Sequence, residues 1–134
     1  MTEQARNAKI DYLSTYKWIE AEIVADEDRL ARLDARLYSP GAVKISDMPK
    51  GGQTVTLDSL VAEKLEIQDR INVKCAELKE ISNAIERMTN PRDRLILKYR
   101  FMDGLTHDEV AERINYSNMQ TRRFYEAALE RFKC

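Results

Sequence analysis

From Thr2 to Tyr38 the chain contains no Gly or Pro, and Tyr12, Tyr16, Ile19, Ile23, Leu30, Leu33 and Leu37 recur at steps of three, four and seven. This spacing predicts one long helix with an apolar seam in which Asp26 is the one polar position. Two prolines and three glycines between Ser39 and Gln53 end that helix. The connection, residues 39–56, is expected to be mobile. The alternative is that its Lys44 and Lys50 touch a partner or nucleic acid. A second long helix is predicted from Thr54 or Thr56 to Met88 or Thr89. Its seam is Leu57, Leu60, Ile67, Ile71, Leu78, Ile81, Ile85 and Met88, with Lys64 and Lys74 as polar positions. Folded back antiparallel, the two helices would set Leu37 by Leu60, Leu30 by Ile67, Ile19 by Leu78 and Tyr12 by Ile85. Asp26 and Lys74 then fall in adjacent layers, where an ion pair would favour the register more than it would add stability. A bundle made by helices of two chains satisfies the same pattern.

The pattern changes at Asn90-Pro91-Arg92-Asp93, a helix start with Asn as cap, Pro at the first helical position and Asp in the first turn. A helix over residues 91 to about 102 would turn Leu95, Ile96, Tyr99 and Met102 towards two further helices. The starts of those two come eleven residues apart, at Thr106-His107-Asp108-Glu109 and Ser117-Asn118-Met119-Gln120, each with the hydroxyl and the Glu or Gln of a capping box. They predict a short helix over 107–114 with Val110, Ala111 and Ile114 inward, a turn at Asn115-Tyr116, and a helix over 117–131. On that last helix Thr121, Phe124, Tyr125, Ala128 and Phe132 share one stripe, while Met119, Arg122, Arg123, Glu126 and Glu130 point the other way. A short scaffold helix and then a helix with a polar, cationic start is the spacing of a helix-turn-helix.

Tyr99-Arg100-Phe101, Gly104-Leu105-Thr106, Glu109-Val110-Ala111-Glu112, Ile114, Ser117, Thr121-Arg122 and Ala128-Leu129 together resemble region 4 of bacterial sigma factors. The stretch is more similar still to the small region-4-like regulators of Gram-positive phages and mobile elements, late-gene activators among them. The family commonly has Gly in the turn where this chain has Asn115, a residue that tolerates the left-handed conformation. The resemblance implies promoter DNA as partner, RNA polymerase as a second one, and a recognition helix that reads bases with Asn118, Met119, Arg122 and Arg123. Met119 and Arg123 differ from the usual sigma-factor residues. The sigma regions that bind the polymerase clamp and melt DNA have no counterpart, so a complete sigma factor is not expected.

The expected fold is all-α: a long antiparallel helical hairpin (coiled coil) over residues 1–89, then a C-terminal helix-turn-helix unit over residues 90–134. With 22 basic and 23 acidic residues the net charge is −1, so the chain is no polycation. The balance is regional: residues 90–134 carry nine Lys or Arg against seven Asp or Glu, and residues 1–89 carry thirteen against sixteen. Nonspecific DNA affinity should be modest and salt dependent, and a homodimer would strengthen it. Glu126 and Glu130 face outward beyond the two arginines and must clear the phosphates, so the helix should enter the groove by its N-terminal end alone.

Other residues add little chemistry. Cys75 and Cys134 are too far apart for metal-ligand spacing and read as reduced thiols of a cytoplasmic protein. No apolar run is long enough for a signal peptide or a membrane span. His107, the single histidine, reads as an exposed residue beside a cap, with phosphate contact as the sharper alternative. Asp108, Glu109 and Glu112 read as a solvated face with one capping carboxylate, since neither His nor Cys completes a metal site. Tyr12 and Tyr16 fit the seam, whereas Trp18 lies off it and marks a candidate partner surface. No nucleophile and base pattern points to an enzyme, and no cofactor is expected. The reading is a sequence-specific DNA-binding transcriptional regulator. Its rivals are a small terminase-like packaging subunit and a coiled-coil protein that binds polymerase or a host factor.

Overall fold

The computed structural model describes residues 1–38 and 56–134. The expected mobile connection, Lys44 and Lys50 included, lies outside the described residues apart from Thr56. The fold is all-α. Helix α1 spans Glu3–Tyr38 and α2 spans Leu57–Glu86. Helix α3 spans Pro91–Leu97 and passes directly into a π-helical segment, Lys98–Met102; α4 covers His107–Ile114 and α5 covers Asn118–Arg131. Hydroxyls start both long helices: Thr2 Oγ1 accepts the Ala5 N–H at 3.1 Å, and Thr56 Oγ1 accepts the Ser59 N–H at 3.0 Å.

The described residues form two compact units, one of residues 21–76 and one of residues 1–20 with 77–134. In the first, α1 and α2 pair antiparallel, and Leu33, Leu60 and Ile67 make a small core flanked by Leu30, Leu37 and Ile71. The expected ion pair is present. Asp26, 1 % exposed, accepts Lys74 Nζ at 2.9 Å, and Arg29 and Arg70 approach its other oxygen at 3.1 and 3.4 Å. A second pair, Lys64 to Asp34 at 2.9 Å, fits the same antiparallel register. Leu57 departs from its seam assignment and is 56 % exposed. It opens α2, and its side chain falls with Val61 and Leu65 on the flank of the hairpin rather than between the helices.

The second unit has one continuous core. Leu13, Ile81, Ala84, Ile85, Ile96, Leu97, Phe101, Val110, Tyr125, Ala128, Leu129 and Phe132 are buried in it, with Tyr12, Tyr16 and Ile19 packed alongside. Full burial of a large apolar side chain is worth about 1.5–3 kcal/mol, and the core gathers enough of them to hold six helical segments, three of them no longer than eight residues. Asn90 caps α3 as expected, its Oδ1 accepting the Arg92 N–H at 2.9 Å. Arg94 donates to the Met88 carbonyl at 2.6 Å in the turn that follows α2, and Lys98 pairs with Glu86 at the end of α2.

The inward face of α3 differs from expectation. Leu95 is 40 % exposed, while Ile96 and Leu97 are fully buried. The buried positions Asp93, Ile96, Leu97 and Phe101 follow steps of three and four, so α3 turns that face to the core, where Asp93 takes Arg131 of α5. Leu95 lies on the other side, while Tyr99 and Met102 border the core. Gly104, at φ +70°, reverses the chain before α4.

Candidate nucleic-acid interface

Helix α4 begins with a complete capping box. Thr106 Oγ1 accepts the Glu109 N–H at 3.2 Å and Glu109 Oε1 accepts the Thr106 N–H at 3.0 Å, a bond that holds the Glu109 carboxyl below its usual range. At its other end Asn115 adopts φ 61° and ψ 42°, the left-handed conformation, and its N–H donates to the Ala111 carbonyl. The turn therefore needs no glycine. Ser117 then caps α5 by accepting the Gln120 N–H at 3.1 Å.

The two helices meet through Val110 and Ala111 on α4, 0 % and 2 % exposed, and Thr121, Tyr125, Ala128 and Leu129 on α5. A methyl side chain at Ala111 permits the close approach. Leu129, absent from the predicted stripe, is fully buried. It lies at the stripe's edge and joins the core that residues of α1, α2 and α3 share with α5.

The predicted base-reading residues lie together on the exposed side of α5. Asn118, at the first helical position, Met119, Arg122 and Arg123 are all exposed, and Met119, Arg122 and Arg123 line a shallow surface with Glu126, Ala127 and Glu130. Phe124, next to them in sequence, turns aside. Arg92 lies over its ring at 3.7 Å and Tyr116 meets it edge-on at 4.9 Å. This fixes the flank of α5 beside the turn.

His107 is half-buried rather than the exposed residue expected beside a cap. Its ring stands edge-on against Tyr125, 4.7 Å between centroids, with Nδ1 buried and without a hydrogen-bond partner. Burial, then the nearby charges of Arg100 and Arg122, push its pKa below the ordinary histidine value. Arg100 in turn donates to the Leu105 carbonyl at 2.6 Å and reaches over Tyr125.

Two residues of α1 belong to this surface and no local sequence signal points to them. Arg6 donates Nε to Glu126 Oε2 at 2.8 Å and a terminal nitrogen to Oε1 at 2.6 Å. Lys9 Nζ donates to the carbonyls of Leu129 and Glu130 at 2.9 and 3.1 Å, the last turn of α5. Trp18, on the same helix, is 74 % exposed.

Among the described residues no group of three or more His, Cys, Asp or Glu is placed to hold a metal, and no helix is long and apolar enough to cross a membrane. Cys75 and Cys134 are exposed free thiols. Residues 90–133, about a third of the chain, match the family model described as Sigma-70, region 4. No curated protein and no solved structure matches the chain. The capped α4, its left-handed turn and α5 are accordingly a sigma-region-4-like helix-turn-helix, a fold of DNA-binding proteins.

Proposed function

We propose that this protein is a sequence-specific transcriptional regulator that binds double-stranded DNA as a homodimer, in the manner of the small regulators encoded by phages and mobile elements. The observation that carries the reading is the match of residues 90–133 to sigma region 4 over a helix-turn-helix whose second helix exposes Asn118, Met119, Arg122 and Arg123 at its start. Arg122 and Arg123 hydrogen-bond base edges or phosphates, and Asn118 and Met119 meet bases or a thymine methyl. The reading divides the chain at residue 90, with the helix-turn-helix reading DNA and the helical hairpin of residues 1–89 as the body that carries it. Two copies would set two recognition helices in successive major grooves and read a two-part site. RNA polymerase is the second partner in this reading.

Selection of bound duplexes from random sequence tests it, run with the wild type and an Arg122→Ala/Arg123→Ala variant. The expected result is an enriched motif that the variant no longer selects. Loss of a base-reading Arg costs about 1–3 kcal/mol and relaxes preference at one position. A folded wild-type protein that enriches nothing would overturn the reading.

A further inference from the structure

The exposed side of α5 carries two cations and then two anions, Arg122 and Arg123 preceding Glu126 and Glu130. Arg122 and Glu126 are four residues apart, the spacing at which oppositely charged side chains pair on a helix. Among the described residues no such pair forms. Arg6 instead takes both Glu126 oxygens in two parallel bonds of 2.6 and 2.8 Å, so the charge of this carboxylate is already compensated by a bidentate partner on α1. Lys9, one turn further along α1, grips the last carbonyls of α5, so the two helices are tied at two points.

Resting on the DNA-reading role of α5, we infer that Arg6 is a positioning residue for DNA recognition. By occupying Glu126 it keeps the Arg122 guanidinium available to DNA and neutralises a carboxylate that phosphates would otherwise meet. Removal of Arg6 frees Glu126 to draw Arg122 along the helix and to repel the duplex. Arg6 itself need not touch DNA. Removing the Glu126 charge as well should therefore undo the damage.

The test is titration of the full-length protein with a duplex carrying the selected motif, over a range of salt concentrations. The wild type is compared with Arg6→Ala, Glu126→Gln and the double variant, with thermal unfolding and helicity monitored for each. Arg6→Ala should weaken binding by about threefold to tenfold, the scale of one unscreened charge near the interface. The double variant should return to the affinity and the salt dependence of Glu126→Gln. Three results would overturn the inference. One is equal binding by Arg6→Ala and wild type. Another is a double variant as weak as Arg6→Ala, with a salt slope lower by about one, which would put Arg6 directly on a phosphate. The third is a loss of affinity that tracks a loss of helicity in both variants, which would make Arg6 a structural tie only. A wild type that binds no duplex removes the DNA reading itself and this inference with it. Wild-type binding with any of the three results removes this inference alone.

Discussion

Arg131, in the last turn of α5, closes a bidentate ion pair on Asp93, in the first turn of α3, with Nε 2.6 Å from Oδ2 and a terminal nitrogen 3.0 Å from Oδ1. Asp93 is 1 % exposed, so the carboxylate depends on this guanidinium and on the start of α3 for its compensation. Asp93→Ala is expected to lower stability by about 1–3 kcal/mol, as for other buried partners of a charged hydrogen bond. Urea unfolding monitored by circular dichroism would read this, and an unchanged midpoint would contradict it.

Thr121 presents the opposite case. Its Oγ1 is buried at the α4–α5 contact without a partner. Valine keeps the branched shape and removes the unpaired hydroxyl, so Thr121→Val should be neutral or stabilising by up to about 1 kcal/mol. A fall in the thermal midpoint would show that the hydroxyl has a partner.

Because His107 is the one histidine, its ring signal in a proton NMR titration reports this site alone. The folded pKa should lie below the ordinary value of about 6.5. A depressed histidine pKa means that the unfolded chain binds the proton more readily. Its contribution to stability is thus present above pH of about 6.5 and is lost as pH falls through that value towards the folded pKa. His107→Gln should flatten the stability profile in that window, and a titration at or above the ordinary value would rule this account out.

Asp26 acts at lower pH. Its hydrogen bond from Lys74, reinforced by Arg70, holds its carboxyl down to about 2 against the partial cost of burial. With the folded value depressed, the stabilisation is complete above the unfolded carboxylate value of about 3.9. It is lost as pH falls from there towards about 2. Asp26→Asn should shrink the acid loss of hairpin helicity. Replacing Asp26 and Lys74 together by Leu should leave the thermal midpoint equal or raised, since an apolar layer avoids desolvating two charges. A markedly lower midpoint in the double variant would show that the ion pair is a net source of stability.

The elements with local signals were legible. Thr106, Ser117 and Asn90 are caps where hydroxyl or amide oxygens were expected, Asn115 carries the left-handed turn, and α4 has the predicted bounds. The antiparallel register, with Asp26 against Lys74, is also readable from the seam. The misjudged positions are those where the partner of a helix face is set by distant residues. Leu13 lies off the seam because the start of α1 packs on two neighbours at once, one of them α5, and a single periodicity describes only one face. Leu95 lost its place to Leu97 and Phe101 because the buried stripe of α3 runs through Asp93, Ile96, Leu97 and Phe101, and the ion pair of Asp93 with Arg131, 38 positions away, sets that face inward.

The candidate site divides along the same line. That Met119, Arg122 and Arg123 project from the start of a capped helix was determined by the sequence alone, since caps and helical periodicity act over three or four residues. Only the tertiary structure could decide that Arg6 takes Glu126, that Lys9 closes the end of α5 and that His107 turns onto Tyr125. Those contacts join residues as many as 121 positions apart, and the choice of partner among many charged side chains is made by how the helices pack, which no local pattern encodes.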